Sequence, residues 1–194
     1  MNFNQRTNHL PGIYNLAKKN MLGRHLMKIK RLLPDHYAFF PQTYMLPHDF
    51  REFSEDAMNL KKPATYIMKP DDSCQGKGIF LTRNIDQVKS TDAYVVQKYL
   101  TKPHLIDGYK YDLRIYVLIN GVSPLRAYIY QDGLARFATE KYQKPNPKNM
   151  SNLFMHLTNY AINKESEKYV PNDNGEKNAS KRSLRDIYDI IEAQ

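Results

Sequence analysis

Residues 69 to 78 combine two lysines and two glycines in a polar stretch between two apolar segments that are typical of β-strands. Glycine lets a backbone approach an anion closely, and successive amides can form a phosphate-binding nest. Lys69, at the end of the first segment, would add a fixed positive charge. The spacing is not that of a Walker A loop, because no helix follows. The pattern therefore indicates either a phosphate site or an ordinary hairpin loop.

Two later segments could each belong to a ligand site or have a structural role; the two are equally open for the first segment, and the structural role is favoured for the second. Lys110, Asp112 and Arg114 alternate at the start of an apolar strand and so share one face, where they could hold a ligand or form a cross-strand salt-bridge ladder. Residues 95–100 form an apolar strand with a polar end, which could offer backbone groups to an adenine or lie in the core.

His156 and Cys74 are not predicted to be catalytic. His156 lies beside Met155 and Leu157, a setting typical of a hydrogen-bonded structural histidine. Cys74 has no His-Asp partner pattern, so it is not expected to be a nucleophile. As the single cysteine, it also excludes an internal disulfide bond.

Composition narrows the class of protein. The 194 residues are 41% hydrophobic and 25% charged, which is typical of a folded globular chain. No apolar run approaches the roughly 20 residues of a membrane span, and the polar amino terminus lacks the layout of a secretory signal, so we expect a cytosolic protein. The formal charge of +9 favours an acidic partner without identifying it, although a solvated surface explains it equally well.

The periodicity predicts the elements that must position these residues. An amphipathic helix is expected over 14–33, with a candidate break at Gly23, and Asp49 could cap a second helix that ends near Leu60. Strands are predicted over 65–68, 78–82 and 93–99.

The second half is predicted to contain a meander of three strands. These strands cover 112–119, 125–130 and 134–138. They would be joined by tight turns at Asn120-Gly121 and Asp132-Gly133, and several of three arginines, Arg114, Arg126 and Arg136, would share a face. An apolar pattern resumes over 155–162, residues 165–180 are expected to be mobile, and a helix is predicted over 183–193.

The motifs taken in order are more specific than any one of them. They are Lys69-Pro70, Gln75-Gly76-Lys77-Gly78-Ile79, Gln97-Lys98-Tyr99, Asp112-Leu113-Arg114, Gly133-Leu134-Ala135-Arg136-Phe137 and His156-Leu157-Thr158-Asn159-Tyr160. Over roughly residues 8–190 this series closely resembles the tubulin tyrosine ligase-like family, and most nearly its polyglutamylase branch. The resemblance implies an α+β, ATP-grasp-like fold, in which two α+β subdomains with antiparallel sheets enclose a nucleotide site. It also implies a helical or linker region over 1–40, a central subdomain over 41–100 and an incomplete C-terminal subdomain over 101–194.

The resemblance also implies roles for individual residues. Lys69 and Arg136 match catalytic positions. The positions expected to bind the nucleotide are Lys69, Gln75, Gly76, Gln97, Lys98, Tyr99, Leu100, Lys110, Tyr111, Asp112, Thr158 and Asn159. The positions expected to bind the amino-acid substrate are Gln75, Arg136, Tyr160, Ala161 and Lys181. Ala161 stands where relatives typically have serine, and the chain ends at Gln194, before the Asp and Glu-x-Asn segment that holds magnesium in relatives, so no metal ligand is expected here.

The implied activity is that of a ligase with ATP and Mg²⁺ as cofactors. ATP would phosphorylate a glutamate side chain of an acidic tubulin tail, and free L-glutamate would attack the acyl phosphate. The expected partners are tubulin or microtubules and glutamate, with no nucleic acid or membrane partner, and the chain is expected to be a monomer. Cytoplasm, cytoskeleton and cilium or basal body are the expected locations. The alternatives are a non-catalytic binder of tubulin tails or nucleotide, a polyglycylase or another ATP-grasp ligase, and, more distantly, a nucleic-acid binder.

Overall fold

The chain forms two compact units. In the computed structural model, which describes residues 4, 9–172, 176 and 178–193, unit 1 comprises Met1–Ser73 and Lys77–Leu100, and unit 2 comprises Cys74–Gly76 and Thr101–Gln194. Each unit contains helices and one antiparallel sheet, which confirms the predicted α+β class. No helix in the described part of the chain combines the length and apolar character needed to cross a membrane.

Unit 1 packs helices around a four-stranded sheet. Its helices are α1 (Tyr14–Ala17), α2 (Lys19–Leu32) and α3 (Phe50–Met58), with a short 3-10 helix over Ile85–Gln87. Its strands are β1 (Thr43–Met45), β2 (Tyr66–Pro70), β3 (Phe80–Thr82) and β4 (Tyr94–Lys98), in the order β1-β4-β2-β3. The predicted strands over 65–68, 78–82 and 93–99 are therefore confirmed, and β4 is an interior strand.

One core cluster of unit 1 lies between α3 and the sheet. Phe53 is fully buried there and packs against Tyr44 and Tyr66, with ring centroids 5.3 and 5.1 Å away. Met68 and Val96 complete the same cluster. Asp49 precedes α3 as predicted, but its side chain accepts a hydrogen bond from the Met45 amide instead of capping the helix.

The predicted amphipathic helix is confirmed, but its break is at Lys18 and not at Gly23. Lys18 has an extended backbone and separates α1 from α2. Gly23 lies buried inside α2, where a β-carbon would come 3.1 Å from the Met45 sulfur. Glycine therefore allows α2 to pack closely on β1, and it does not interrupt the helix.

Unit 2 is built on one long hairpin. Its strands are β5 (Leu105–Ile106), β6 (Tyr109–Val122), β7 (Leu125–Lys141) and β8 (Lys181–Ser183), in that order across the sheet. Its helices are α4 (Leu153–His156), α5 (Tyr160–Asn163) and α6 (Leu184–Glu192). The core contains Ile106, Ala135, Phe137 and Ile187.

The predicted three-strand meander is wrong. β7 runs without a turn through Asp132-Gly133, and Gly133 pairs directly with Ile115 on β6. Asn120-Gly121 lies inside β6 at a register shift, so the turn comes after Val122. The tight turn is instead at Asp107-Gly108 between β5 and β6, where both residues have positive φ, 54° and 81°.

The helix predicted over 183–193 is confirmed as α6. Ser183 and Asp186 form a capping box, in which each side chain accepts a hydrogen bond from the other residue's amide. Leu184 and Ile187 are buried, whereas Ile191 is 41% exposed. Part of the segment 165–180 that was predicted to be mobile, namely 173–175 and 177, lies outside the described residues.

Candidate functional site

Lys69 lies at the end of β2 with its ammonium group turned toward the neighbouring strand. Its Nζ donates a 2.8 Å hydrogen bond to Oε1 of Gln97 on β4. The Gln97 amide nitrogen in turn donates to Thr43 Oγ1 at 2.9 Å, which fixes the orientation of the amide. Burial lowers the pKa of Lys69, and the nearby charge of Lys19 lowers it further. Since no carboxylate pairs with Lys69 among the described residues, a phosphate oxygen fits the ammonium group well.

Two α2 residues hold the segment that follows Lys69. The Lys19 ammonium group donates to the carbonyl oxygens of Pro70 and Ser73 at 2.5 and 2.6 Å. Asn20 donates to the Asp71 carboxylate at 2.7 Å. The sequence analysis missed both residues, although adjacent polar side chains at the start of an amphipathic helix are a weak signal for such a role. Together they keep residues 70–73 beside the helix.

The segment 97–100 was predicted to line an adenine pocket. In the structure, the amides of Lys98 and Tyr99 already donate to the carbonyl oxygens of Gln42 and Thr65. The Tyr99 side chain is buried and that of Leu100 is exposed. Of these side chains, Leu100 is therefore the one available for contact with a flat ring.

In unit 2, Asp112 lies at the centre of a polar cluster. Arg136, opposite it on β7, donates from Nε and Nη2 to the two carboxylate oxygens at 2.8 and 2.7 Å. Thr158 donates its hydroxyl to Asp112 Oδ2 at 2.6 Å. The hydrogen bond to Asp112 is the main reason that the pKa of Arg136 is raised. Residues from β6, β7 and the loop before α5 are thus joined through one carboxylate.

The proposed substrate residues Tyr160 and Lys181 are also in contact. The Lys181 ammonium group lies 3.5 Å from the centre of the Tyr160 ring, within the range of a cation–π interaction. Lys181 on β8 pairs in register with Arg136 on β7, which places both beside the Asp112 cluster. Lys110 on β6 donates to the His156 carbonyl oxygen, at the end of α4, at 2.8 Å.

A cavity of about 350 Å³, hereafter the Arg136 pocket, adjoins this cluster. It is lined by Gln75, Arg114, Arg136, Asn159, Tyr160, Ala161 and Lys164. Five of these were expected from the family resemblance to bind nucleotide or substrate. Arg114 was an open candidate for a ligand site, and Lys164 was not predicted. The face that Arg114 and Arg136 were predicted to share was the sequence signal that placed Arg114 near this pocket. Arg126 pairs with Gly121 farther along the hairpin and is not among the lining residues. The pocket therefore has three cationic side chains.

The wall of the Arg136 pocket depends on a buried amide and a glycine. Asn163 accepts hydrogen bonds from the Thr139 amide and hydroxyl, and donates to the carbonyl oxygens of Leu157 and Asn159. Gly76 has a φ of 91°, and a β-carbon there would come 2.7 Å from Ile162 Cδ1. These contacts fix the loop that carries Thr158 and Asn159, and the backbone that carries Gln75.

His156 and Cys74 differ in their surroundings. His156 is fully buried, with Nε2 3.1 Å from the Asn149 carbonyl oxygen, and burial lowers its pKa. Cys74 is exposed and free. Within residues 9–172 and the shorter described segments, no three His, Cys, Asp or Glu side chains are grouped so that they could hold a metal ion.

Comparisons of this chain with a family model and with known proteins indicate the same family. Residues 1–193 match the model of the tubulin-tyrosine ligase family. A probable beta-tubulin polyglutamylase of Tetrahymena thermophila is 49% identical over 193 residues, which cover 98% of this chain and 16% of the relative. The tubulin polyglutamylase TTLL13 of Mus musculus is 47% identical over 87% of this chain and 21% of its own length. TTLL7 of Mus musculus is 42% identical over 97% and 21%. The chain thus spans about a fifth of the length of these relatives.

Proposed function

Because the chain belongs to the tubulin-tyrosine ligase family, we propose that it carries the nucleotide-binding and amino-acid-binding residues of an ATP-dependent tubulin polyglutamylase. The observation that carries the proposal is the identity of 41 to 49% to relatives named tubulin polyglutamylases. The basic cluster around Arg136 supports it, since free glutamate carries two carboxylates and such groups pair well with guanidinium and ammonium groups.

The proposed roles follow from the contacts of each side chain. Bound ATP would supply the phosphoryl group that activates a tail carboxylate as an acyl phosphate, which the amine of free glutamate attacks. Lys69 would neutralise phosphate charge from a site that excludes much of the competing water. Arg136 and Lys181, with Tyr160 beneath the lysine, would hold a glutamate carboxylate near the Asp112 cluster. Gln75 and Ala161 would line the same pocket.

Magnesium is expected with ATP, but the described residues do not fit that ion. Mg²⁺ prefers several oxygen ligands in octahedral geometry. Both oxygens of Asp112, the carboxylate nearest the proposed substrate residues, are already bound by Arg136 or Thr158. No step of the proposal is therefore assigned to a metal ligand in these residues.

The test is incorporation of labelled glutamate into microtubules in the presence of ATP and magnesium, with Lys69→Ala and Lys61→Ala compared with the parent chain. We expect incorporation that is lost in Lys69→Ala and kept in Lys61→Ala, which removes an exposed lysine of the same unit. Labelled glycine taken up in place of glutamate would indicate a polyglycylase. Binding of a fluorescent ATP analogue without any incorporation would contradict catalysis by this chain and favour a nucleotide binder.

A further inference from the structure

Unit 2 contains a second cavity, and none of its described lining residues belongs to the Arg136 pocket. This cavity, hereafter the Arg182 cavity, has a volume of about 470 Å³. Arg182 follows Lys181 on β8, and successive residues of a strand point to opposite faces of the sheet. Lys181 contacts Tyr160, whereas Arg182 contacts Phe137 in the core. The two side chains therefore lie on opposite faces of the β7–β8 pair.

Arg182 is a buried cation whose hydrogen-bonding capacity is only partly used. Its side chain is 6% exposed, and its guanidinium carbon lies 4.1 Å from the centre of the Phe137 ring. Nε donates to the Ala179 carbonyl oxygen at 3.1 Å. Nη1 is 3.8 Å from the Asp107 carboxylate, too far for a hydrogen bond. Within the described residues, neither terminal nitrogen has a hydrogen-bond acceptor.

Arg182 forms an ion pair with Asp107 at 3.8 Å, which still leaves its terminal nitrogens without a hydrogen-bond acceptor among the described residues. A desolvated guanidinium is stabilised only when its N–H groups are bound, and a carboxylate fits two of them at once. Burial lowers the pKa of Arg182, and the nearby carboxylates of Asp107 and Asp186 only partly oppose that effect. Lys168, the other cation among the described lining residues, already pairs with Glu140 at 2.6 Å. Arg182 is therefore the group in the cavity that most needs an anion.

The position of Asp107 indicates which anion fits. Asp107 lies at the edge of the cavity with its side chain 71% exposed, beside the guanidinium. A dianion such as phosphate would be repelled by this carboxylate. An α-amino acid, in contrast, carries a carboxylate and an ammonium group on the same carbon atom. Its carboxylate can face Arg182 while its ammonium group faces Asp107. Phe137, Ala138 and Val170 form an apolar wall for a side chain.

We propose that the Arg182 cavity is a binding site for a free α-amino acid, separate from the Arg136 pocket. Arg182 binds the carboxylate through its terminal nitrogens, and Asp107 binds the ammonium group. The site does not depend on the proposed ligase activity, because its residues are distinct from those of the Arg136 pocket.

The test is isothermal titration calorimetry with L-alanine, N-acetyl-L-alanine and inorganic phosphate. The proteins are the parent chain, Arg182→Gln, Asp107→Asn and, to disable the other pocket, Arg136→Gln. We expect saturable L-alanine binding that persists in Arg136→Gln, falls at least about tenfold in Arg182→Gln, and exceeds the binding of N-acetyl-L-alanine and phosphate. In Asp107→Asn, the preference of the protein for L-alanine over its N-acetyl derivative should disappear.

Asp107→Asn keeps the test decisive if Arg182→Gln fails to fold, because asparagine tolerates the positive φ at this exposed turn. The proposal is overturned if the parent does not bind L-alanine, if phosphate binds more tightly, or if Arg136→Gln abolishes binding. An unchanged preference for L-alanine in Asp107→Asn would also overturn it.

Discussion

Asn163 shows how one buried side chain can support the proposed site. Its amide takes part in four hydrogen bonds that join β7 to the loop carrying Thr158 and Asn159. Asn163→Ala leaves several of these groups buried without partners. We therefore expect the free energy of unfolding to fall by about 2–4 kcal/mol, measured by urea denaturation. Glu167→Ala, which truncates an exposed side chain four residues away, should change it by less than about 0.5 kcal/mol. Equal effects of the two variants would contradict this account.

The buried ammonium group of Lys69 makes stability depend on pH. Its pKa in the folded chain is lowered below the usual 10.5 by burial and by Lys19. Between those two pKa values the unfolded chain binds more protons, so stability rises with pH across that interval. Below that pH interval Lys69 is charged in both states, so the full free-energy cost of burying its charge lowers the stability of the folded chain. We expect the stability of the parent relative to Lys69→Met to increase as the pH approaches 10.5 from below, in urea titrations at a series of pH values.

Lys61→Met is the control for the pH experiment, because it removes the charge of an exposed lysine from the same unit. A pH-dependent difference of the same size in both comparisons would show that the effect does not come from burial of Lys69. Adding an ATP analogue should reduce the pH-dependent difference in stability between the parent and Lys69→Met, since a bound phosphate favours the charged lysine.

At the scale of elements, the β6–β7 hairpin depends on Gly133. A β-carbon at this position would come 2.4 Å from the Arg114 carbonyl oxygen on the paired strand. Gly133→Ala must therefore separate the strands beside the Arg136 pocket, and we expect a loss of about 1–3 kcal/mol in stability. Gly121→Ala is the matched control, since its nearest contact would be 3.4 Å away. Thermal unfolding of both variants measures the difference, and an equal loss in both would contradict the steric explanation.

The same hairpin exposes apolar side chains on its outer part. Val117 and Ile129 are paired across the strands and are 55% and 75% exposed. Exposed apolar patches and unpaired strand edges favour association. We expect the double variant Val117→Thr, Ile129→Thr to remain monomeric at higher concentration than the parent in sedimentation velocity. Met58→Thr, which removes an equally exposed side chain from unit 1, is the control and should not have this effect.

The hairpin also explains where sequence analysis of this element failed. Asp-Gly is a strong signal for a tight turn. The signal is right at Asp107-Gly108, where both residues have positive φ, and wrong at Asp132-Gly133. Gly133 does not form a turn; it allows the backbone of the neighbouring strand to approach closely. The Asp-Gly dipeptide alone does not distinguish a tight turn from a close approach of two strands.

At the scale of the whole molecule, the formal charge of +9 should govern encounters with acidic peptides. We expect binding of a glutamate-rich peptide to weaken by about tenfold between about 50 and 500 mM salt, because salt screens exposed charges. Fluorescence anisotropy with a labelled peptide would measure this. A peptide in which glutamine replaces glutamate is the control and should bind weakly at every salt concentration. Salt-independent binding of the acidic peptide would contradict an electrostatic origin.

The amino-acid sequence by itself determined the α+β class, most helices and strands, and the residues that carry the family resemblance. Those features depend on periodicity and residue type within short segments, which a linear sequence contains. The tertiary structure decided the register that sets Arg136 opposite Asp112 and the loop that brings Thr158 to the same carboxylate. It also decided that Lys181 contacts Tyr160, whereas Arg182 contacts Phe137 and lines the Arg182 cavity. Such contacts join residues far apart in the chain, so they depend on strand pairing and core packing, which no local pattern specifies.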